Sequence, residues 1–227
     1  FIAAAIRRAG FSPLLIDVGS LDAPSITPDI TRSEVLAALN SAEAAAILAR
    51  RDRGECVTLM GRAAAACVTA LHAAGRIHGI ISLGGGGGTA IATAAMRALP
   101  IGFPKLMVST LASGQTAPYV GTSDITMMPA IVDVSGLNRV SRAIFTNSAG
   151  AIVGYFVYSL LLPTITGVLA ALRGRGAVAG LAAGQAAAAS EARAPVGNAG
   201  AALTPPAPAA ATFVNPVCGM AVSMTNP

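Results

Sequence analysis

Ile80-Ile-Ser-Leu-Gly-Gly-Gly-Gly-Gly-Thr-Ala-Ile-Ala-Thr-Ala-Ala-Met96 is the stretch on which the fold turns. The apolar run before Gly84 reads as a buried strand, and Ala90 to Met96 as a helix. Between them stand only Gly84, Gly85, Gly86, Gly87 and Gly88, followed by Thr89. Glycine tolerates φ > 0 and lets the backbone approach a ligand closely, while the free amides and dipole of a helix start favour negative charge. The pattern predicts a phosphate cradle, with Thr89 as helix cap or hydroxyl ligand. It is not a P-loop, since no Gly-Lys-Ser/Thr follows, and Thr89 stands where the dinucleotide fingerprint has its last glycine. The plain alternative is a glycine tract that only turns the chain.

On either side the same rhythm continues. Leu14 to Val18 predicts a strand and Thr31 to Arg50 a helix, capped by Asp29 or by Thr31 with Glu34 completing a capping box. Leu59 to Ala74 predicts a second helix stopped by Gly75, then come strand Ile77–Leu83, helix Thr89–Leu99, strand Leu106–Thr110 and helix Leu137–Gly154. Strands separated by helices of this length predict an α/β fold, a Rossmann-like parallel sheet flanked by helices. Ligands of such sheets bind beyond the carboxyl ends of the strands. Three polar clusters fall there: Asp17 to Ser20, Gly84 to Thr89, and Ser109 to Thr116 with Ser113 and Gly114. Lys105 precedes its strand and belongs at the opposite edge. Tyr119, Gly121 and Asp124 form a loop that offers a ring for a base and a carboxylate for Mg²⁺ or a ribose; the alternative is local caps and turns. His72 and His78 have no metal-ligand spacing, and no nucleophile and base pair emerges, so no catalytic residue is assigned.

Composition narrows the classes. With 227 residues, 54% hydrophobic and 11% charged, the chain can bury a core, which excludes disorder throughout. Three cysteines exclude a disulfide scaffold and fit reduced, cytoplasmic thiols. The net charge of +5 is scattered rather than striped, and aromatics make up 4%, which argues against nucleic acid as a partner. Phe1 to Gly10 reads as the second half of an amphipathic helix, so the sheet is expected to be truncated at its N-terminus, and Arg7 and Arg8 follow the apolar stretch rather than precede it as in a signal peptide. Ala151 to Leu172 carries no charge over 22 residues, about 33 Å as a helix, enough to cross a bilayer. Pro163 and Gly167 weigh against a straight span, and a continued helix with a buried hairpin is the preferred reading over a membrane tether. The expected divisions are a nucleotide-binding subdomain over residues 1–154, an apolar helical segment over 155–175, a disordered Ala/Gly/Pro linker over 176–212 and a short terminal unit over 213–227. A homo-oligomer is allowed.

Asp17-Val-Gly19, Asp52-Arg-Gly54, Leu83 to Thr89, Leu99-Pro-Ile-Gly-Phe-Pro-Lys-Leu-Met-Val-Ser-Thr110, Ala112-Ser-Gly114, Tyr119-Val-Gly121, Asp124-Ile125, Val132 to Asn138 and Asn147-Ser-Ala149 together resemble the Tm-1-like ATP-binding family, also called UPF0261. The resemblance covers about residues 2–154. It implies a Rossmann-like subdomain that binds ATP with Mg²⁺ near a junction with a second α/β subdomain. Its nucleotide contacts would fall on Gly84 to Thr89, Ser113, Gly114 and the loop of Tyr119, Gly121 and Asp124. The chain departs from the family pattern in lacking a first strand with a Gly-Thr-x-Asp-Thr-Lys type turn, in Gly86 for a serine and in Gln115 for an acidic residue. Separately, Phe213-Val-Asn-Pro-Val-Cys-Gly-Met220 resembles the opening of YHS metal-binding domains, with Asn215 for the usual Asp. Cys218 and Met220 alone cannot hold a metal.

Overall fold

The structure, a computed structural model, describes residues 1–20, 23–133 and 136–173 and the backbone of strand 218–223. The expected linker over 176–212 lies outside the described residues. Two compact units divide the chain, one formed by residues 1–157 and 214–227 and the other by 158–213.

The first unit is α/β. Its strands are β1 (Ser12–Asp17), β2 (Gly79–Gly84), β3 (Lys105–Ser109), β4 (Thr126–Pro129) and β5 (Cys218–Ser223). Its helices are α1 (Ile2–Arg8), α2 (Arg32–Ala37), α3 (Ala44–Arg50), α4 (Arg53–Ala73), α5 (Gly86–Arg97), α6 (Ala117–Val120) and the start of α7 (Arg139–Arg173). The sheet order is β1-β5-β2-β3-β4. Strands β2, β3 and β4 pair in parallel, with Gly84 opposite Ser109 and Leu106 opposite Thr126. Strand β5 runs antiparallel to both β1 and β2 and sits between them.

Alternation along each strand builds two cores. Ile16, Ile80 and Met107 face a layer holding Val35, Met60, Ala63, Val68, Ile91 and Met96. Their neighbours Leu15, Ile81, Leu106 and Val108 face the other way, onto Ile2, Ile6, Phe145, Ala149 and Ile152. Residues i and i+1 of a strand point to opposite faces, so these strands are apolar on both faces, as sheets covered by helices on both sides require.

Caps and glycines place the helices. The capping box is present at α2: the Glu34 amide donates to Thr31 Oγ1 and the Thr31 amide donates to Glu34 Oε2. The expected helix Thr31–Arg50 is broken, because Asn40 takes φ 52° between α2 and α3. Helix α4 starts at Arg53, earlier than Leu59, because Asp52 Oδ1 accepts the Glu55 amide at 2.8 Å. A Cβ at Gly61 of α4 would lie 3.3 Å from the Ala94 Cβ of α5, so the absence of a side chain there lets these helices touch. Strand β4 was not expected, and it adds a fourth parallel-running edge beside β3.

Helix α7 carries the helix expected at Leu137–Gly154 on through the apolar segment to Arg173. It begins after Asn138, whose Oδ1 accepts the Val140 and Ser141 amides, and continues unbroken with Pro163 inside it. No hairpin turn interrupts it within the described residues 139–173. Ser141, Phe145, Ser148, Ala149 and Ile152 make its buried stripe, while Tyr158, Leu161, Leu162, Ile165, Val168 and Leu169 are exposed.

Candidate functional site

The glycine tract is not a loop. Strand β2 ends at Gly84, Gly85 is the helix cap residue at φ −80°, and Gly86 already belongs to α5. None of Gly84 to Gly88 has a positive φ; the positive-φ glycines among the described residues are Gly10, Gly75, Gly102 and Gly121. Glycine is needed at 84 for a steric reason: a Cβ there would meet Gly88 Cα at 3.0 Å and its carbonyl carbon at 3.1 Å. The turn from strand to helix is that tight.

Thr89 is not the cap, which is Gly85; it lies inside α5. It is fully buried, its amide donates to the Gly85 carbonyl at 2.8 Å, and its Oγ1 shares a 2.7 Å hydrogen bond with Ser109 Oγ. Ser109 Oγ also accepts the Leu111 amide, and the Thr110 amide donates to the Gly84 carbonyl. The carboxyl ends of β2 and β3 are thereby tied together at the start of α5. Ser113 and Gly114 follow on this edge and are exposed. Asp17 ends β1 on the same edge, but it is buried, accepts the Gly19 amide at 2.8 Å and lies 3.6 Å from Arg32 Nη2.

Gly85, Gly86 and Gly87 are half-buried, and no side chain caps them. The first amides of a helix have no partner inside it, so those of Gly86, Gly87 and Gly88 point out of the start of α5. Beside them, the Cβ position of Gly87 lies 3.7 Å from Arg53 Nη2 and 3.5 Å from Val57 Cγ2. Arg53, which stands in the Asp52-Arg-Gly54 stretch of the resemblance, is thus a cation beside this backbone. Its signal was the Asp52-Arg-Gly54 triplet, where Asp52 starts α4 and so sets the position of the next residue.

The loop of Tyr119, Gly121 and Asp124 is elsewhere. Its expected place beside the glycines is corrected by three contacts. Arg97, the last residue of α5, donates to the Tyr119 carbonyl. Arg97 Cδ lies 3.6 Å from the Cβ position of Gly121. Asp124 Oδ1 accepts from Lys105 Nζ at 2.5 Å, at the amino end of β3, and its Oδ2 accepts the Gly102 amide. The length of α5, about 16 Å, separates that end from Gly86. Burial pushes the Asp124 carboxyl upward, but hydrogen bonds from Lys105 and Gly102 and the Lys105 charge outweigh it and hold the carboxyl below its ordinary 3.8. Lys105, the first residue of β3, thus sits at the edge opposite the carboxyl ends of the strands, as expected. Among the described residues no group of three or more His, Cys, Asp or Glu side chains could hold a metal ion. Asn147 is exposed on α7.

A covered, mainly parallel sheet with an uncapped helix start at the exit of a central strand defines a Rossmann-like α/β domain. The chain belongs to the UPF0261 family: residues 1–160 match the model described as "Uncharacterised protein family (UPF0261) N-terminal domain". It is 41% identical over 189 residues to a UPF0261 protein of Rhizobium meliloti (strain 1021), a match covering 76% of this chain and 46% of the relative. A UPF0261 protein of Clostridium tetani (strain Massachusetts / E88) is 46% identical over 154 residues, covering 68% of this chain and 38% of the relative. The ToMV resistance protein Tm-1(GCR237) of Solanum lycopersicum is 40% identical over 105 residues, covering 46% of this chain and 14% of that protein. The matched region spans less than half the length of these relatives.

Proposed function

We propose that the start of α5 binds the phosphates of a nucleotide, ATP by the family resemblance, with Mg²⁺ carried in on the phosphates. The observation that carries this reading is the uncapped, half-buried backbone of Gly85 to Gly87 beside the Arg53 guanidinium. Backbone amides at a helix start favour an anion, and a guanidinium adds charge-assisted hydrogen bonds to phosphate oxygens. Ser113 and Gly114 border the same edge and are the next contacts. Asp124 is not part of this site, because Lys105 and Gly102 occupy its carboxylate. The residues fit the phosphates better than a resident metal, and no residue here supports a reaction.

Calorimetric titration of the full chain with Mg-ATP tests the reading, run beside Gly87→Asp and Arg53→Ala. A carboxylate in the first turn favours the helix by about 0.5 kcal/mol but occupies and repels the phosphate position. The expected result is binding by the parent, loss of binding in Gly87→Asp without loss of thermal stability, and binding about tenfold weaker in Arg53→Ala. A folded parent that takes up no nucleotide sinks the proposal.

One further observation favours a second reading, membrane association through residues 151–172. Among the described residues two helices are long and apolar enough to cross a bilayer; half of the apolar window is buried in α4, whereas only 6% is buried in the Arg139–Leu169 part of α7. Co-flotation of the full chain with phosphatidylcholine vesicles, abolished by Leu161→Glu with Ile165→Glu, is the outcome this reading expects. Recovery of the parent in the unfloated fraction excludes it.

A further inference from the structure

Helix α7 has a second stripe opposite the one it buries. Ser141, Phe145, Ser148, Ala149 and Ile152 face the protein interior, and at 3.6 residues per turn the other side of the helix carries Ala143, Asn147, Gly150 and Gly154, all exposed. The same line continues through Tyr158, Leu161, Ile165 and Val168, which leave between 47% and 64% of their surface uncovered. Steps of three and four residues keep these side chains on one face, the spacing by which a helix offers a seam to another helix.

Size changes once along this stripe, from a small first half to a large second half. Glycine inside a helix costs about 1 kcal/mol relative to alanine, and a Cβ at Gly150 or Gly154 would meet nothing within 4 Å. No neighbour among the described residues requires glycine at either position, whereas a helix laid close against this face does. A second α7 laid antiparallel, about a two-fold axis near Tyr155, sets the large half of each copy on the small half of the other. Leu161 then lies over the partner's Gly150, Tyr158 over the partner's Gly154 and Val168 against the partner's Ala143. A parallel pair would set glycine on glycine and leucine on leucine, drawing one end together and forcing the other apart. The strip from Ala143 to Val168 is about 38 Å long, and it is self-complementary, as a two-fold interface requires. Asn147 falls toward an end of the strip, where interfaces are polar. A bilayer accounts for less of the stripe: Ala143 to Gly150 lies on the part of α7 whose other side packs on the sheet through Phe145 and Ala149, and lipid chains need neither glycines nor register.

We propose that two copies of this chain pair through the exposed stripe of α7 as an antiparallel helix pair, with Leu161 and Tyr158 of each copy seated over the partner's Gly150 and the partner's Gly154. The pairing is independent of nucleotide binding at the start of α5.

Sedimentation equilibrium of the full chain without detergent, at micromolar concentration, is expected to give twice the 22.4 kDa of one chain. Gly150→Leu fills the groove and is expected to weaken pairing at least about tenfold, with helix content by circular dichroism retained because the added side chain meets no neighbour within its own chain. Should that variant misfold, Leu161→Ala is expected to weaken pairing likewise. Where lipid is the cover, the added leucine instead strengthens flotation with phosphatidylcholine vesicles. Direction is read with a short bismaleimide in a Cys218→Ser background, in which the remaining Cys56 and Cys67 are buried. Gly150→Cys chains mixed with Leu161→Cys chains are expected to crosslink, and neither variant by itself. The proposal is overturned by a folded parent that sediments as a single chain or is recovered only with vesicles. A double mass that neither Gly150→Leu nor Leu161→Ala diminishes also overturns it, as do crosslinks within one variant alone or none in the mixture.

Discussion

Gly84 and Gly87 stand three residues apart in one tract yet answer to different physics. At Gly84 the added Cβ would collide with backbone atoms of Gly88, which cannot move without breaking the start of α5. Gly84→Ala is therefore expected to cost about 2 kcal/mol, within the range of overpacking changes. At Gly87 the nearest atoms are 3.5 Å and 3.7 Å away and belong to side chains, so a methyl group fits. Gly87→Ala is expected to stabilise by up to about 1 kcal/mol through helix propensity. Urea unfolding of the two variants measures both, and equal shifts would remove the distinction. Asp124→Asn leaves the fully buried Lys105 ammonium without its carboxylate. Fully buried pairs lose roughly 3–5 kcal/mol on such a change. Asp124 is 36% exposed, so screening lowers the expected loss, again in urea, to about 2 kcal/mol.

Helix α5 takes its position from contacts at three points: the turn at Gly84, the close approach of Gly61 to Ala94, and the bond from Thr89 to Ser109. Thr89→Val keeps the shape of the side chain but leaves the Ser109 hydroxyl short of a partner in a buried site. Its expected cost is about 1–2 kcal/mol, with faster amide exchange at the start of α5 as the local readout; exchange unchanged at Gly86 to Thr89 would show that the bond does not hold the helix. The capping signals were readable because they are local: Thr31 with Glu34, and Gly75 after α4. The break at Asn40 was not, since an asparagine inside an apolar-periodic run carries no fixed meaning until its φ is known. Strand β4 is not legible in the sequence because its Thr-Met-Met-Pro stretch is short and ends in a proline, which is tolerated at the edge of a sheet.

The acid limb of the whole domain's stability follows from carboxyls held below their ordinary values, Asp124 from 3.8 and Glu34 from 4.5, the latter by its hydrogen bonds with Thr31. The unfolded chain binds protons there first, so their contribution is present above about pH 5 and is lost as pH falls through the lower folded-state values. At the alkaline end, burial raises the Cys67 thiol above 9.0; the folded state keeps its proton longer, so stability falls as pH rises past that value. Thermal midpoints measured from pH 3 to 10 are expected to form a plateau with both shoulders, and Asp124→Asn to flatten the acid one; an unchanged acid shoulder in that variant would assign it to other groups. The α/β class, the strand-to-helix turn at Gly84 and the edge where Ser113 and Gly114 lie were determined by the sequence alone, because hydrophobic alternation and glycine punctuation act within a few residues. Tertiary structure alone decided that Asp124 serves Lys105, that Thr89 is sealed inside, that Arg53 meets the glycines, and that a distant strand enters between β1 and β2. Each depends on which segments pack side by side, and that is set by the balance of burial and hydrogen bonding over the whole sheet rather than by any local pattern.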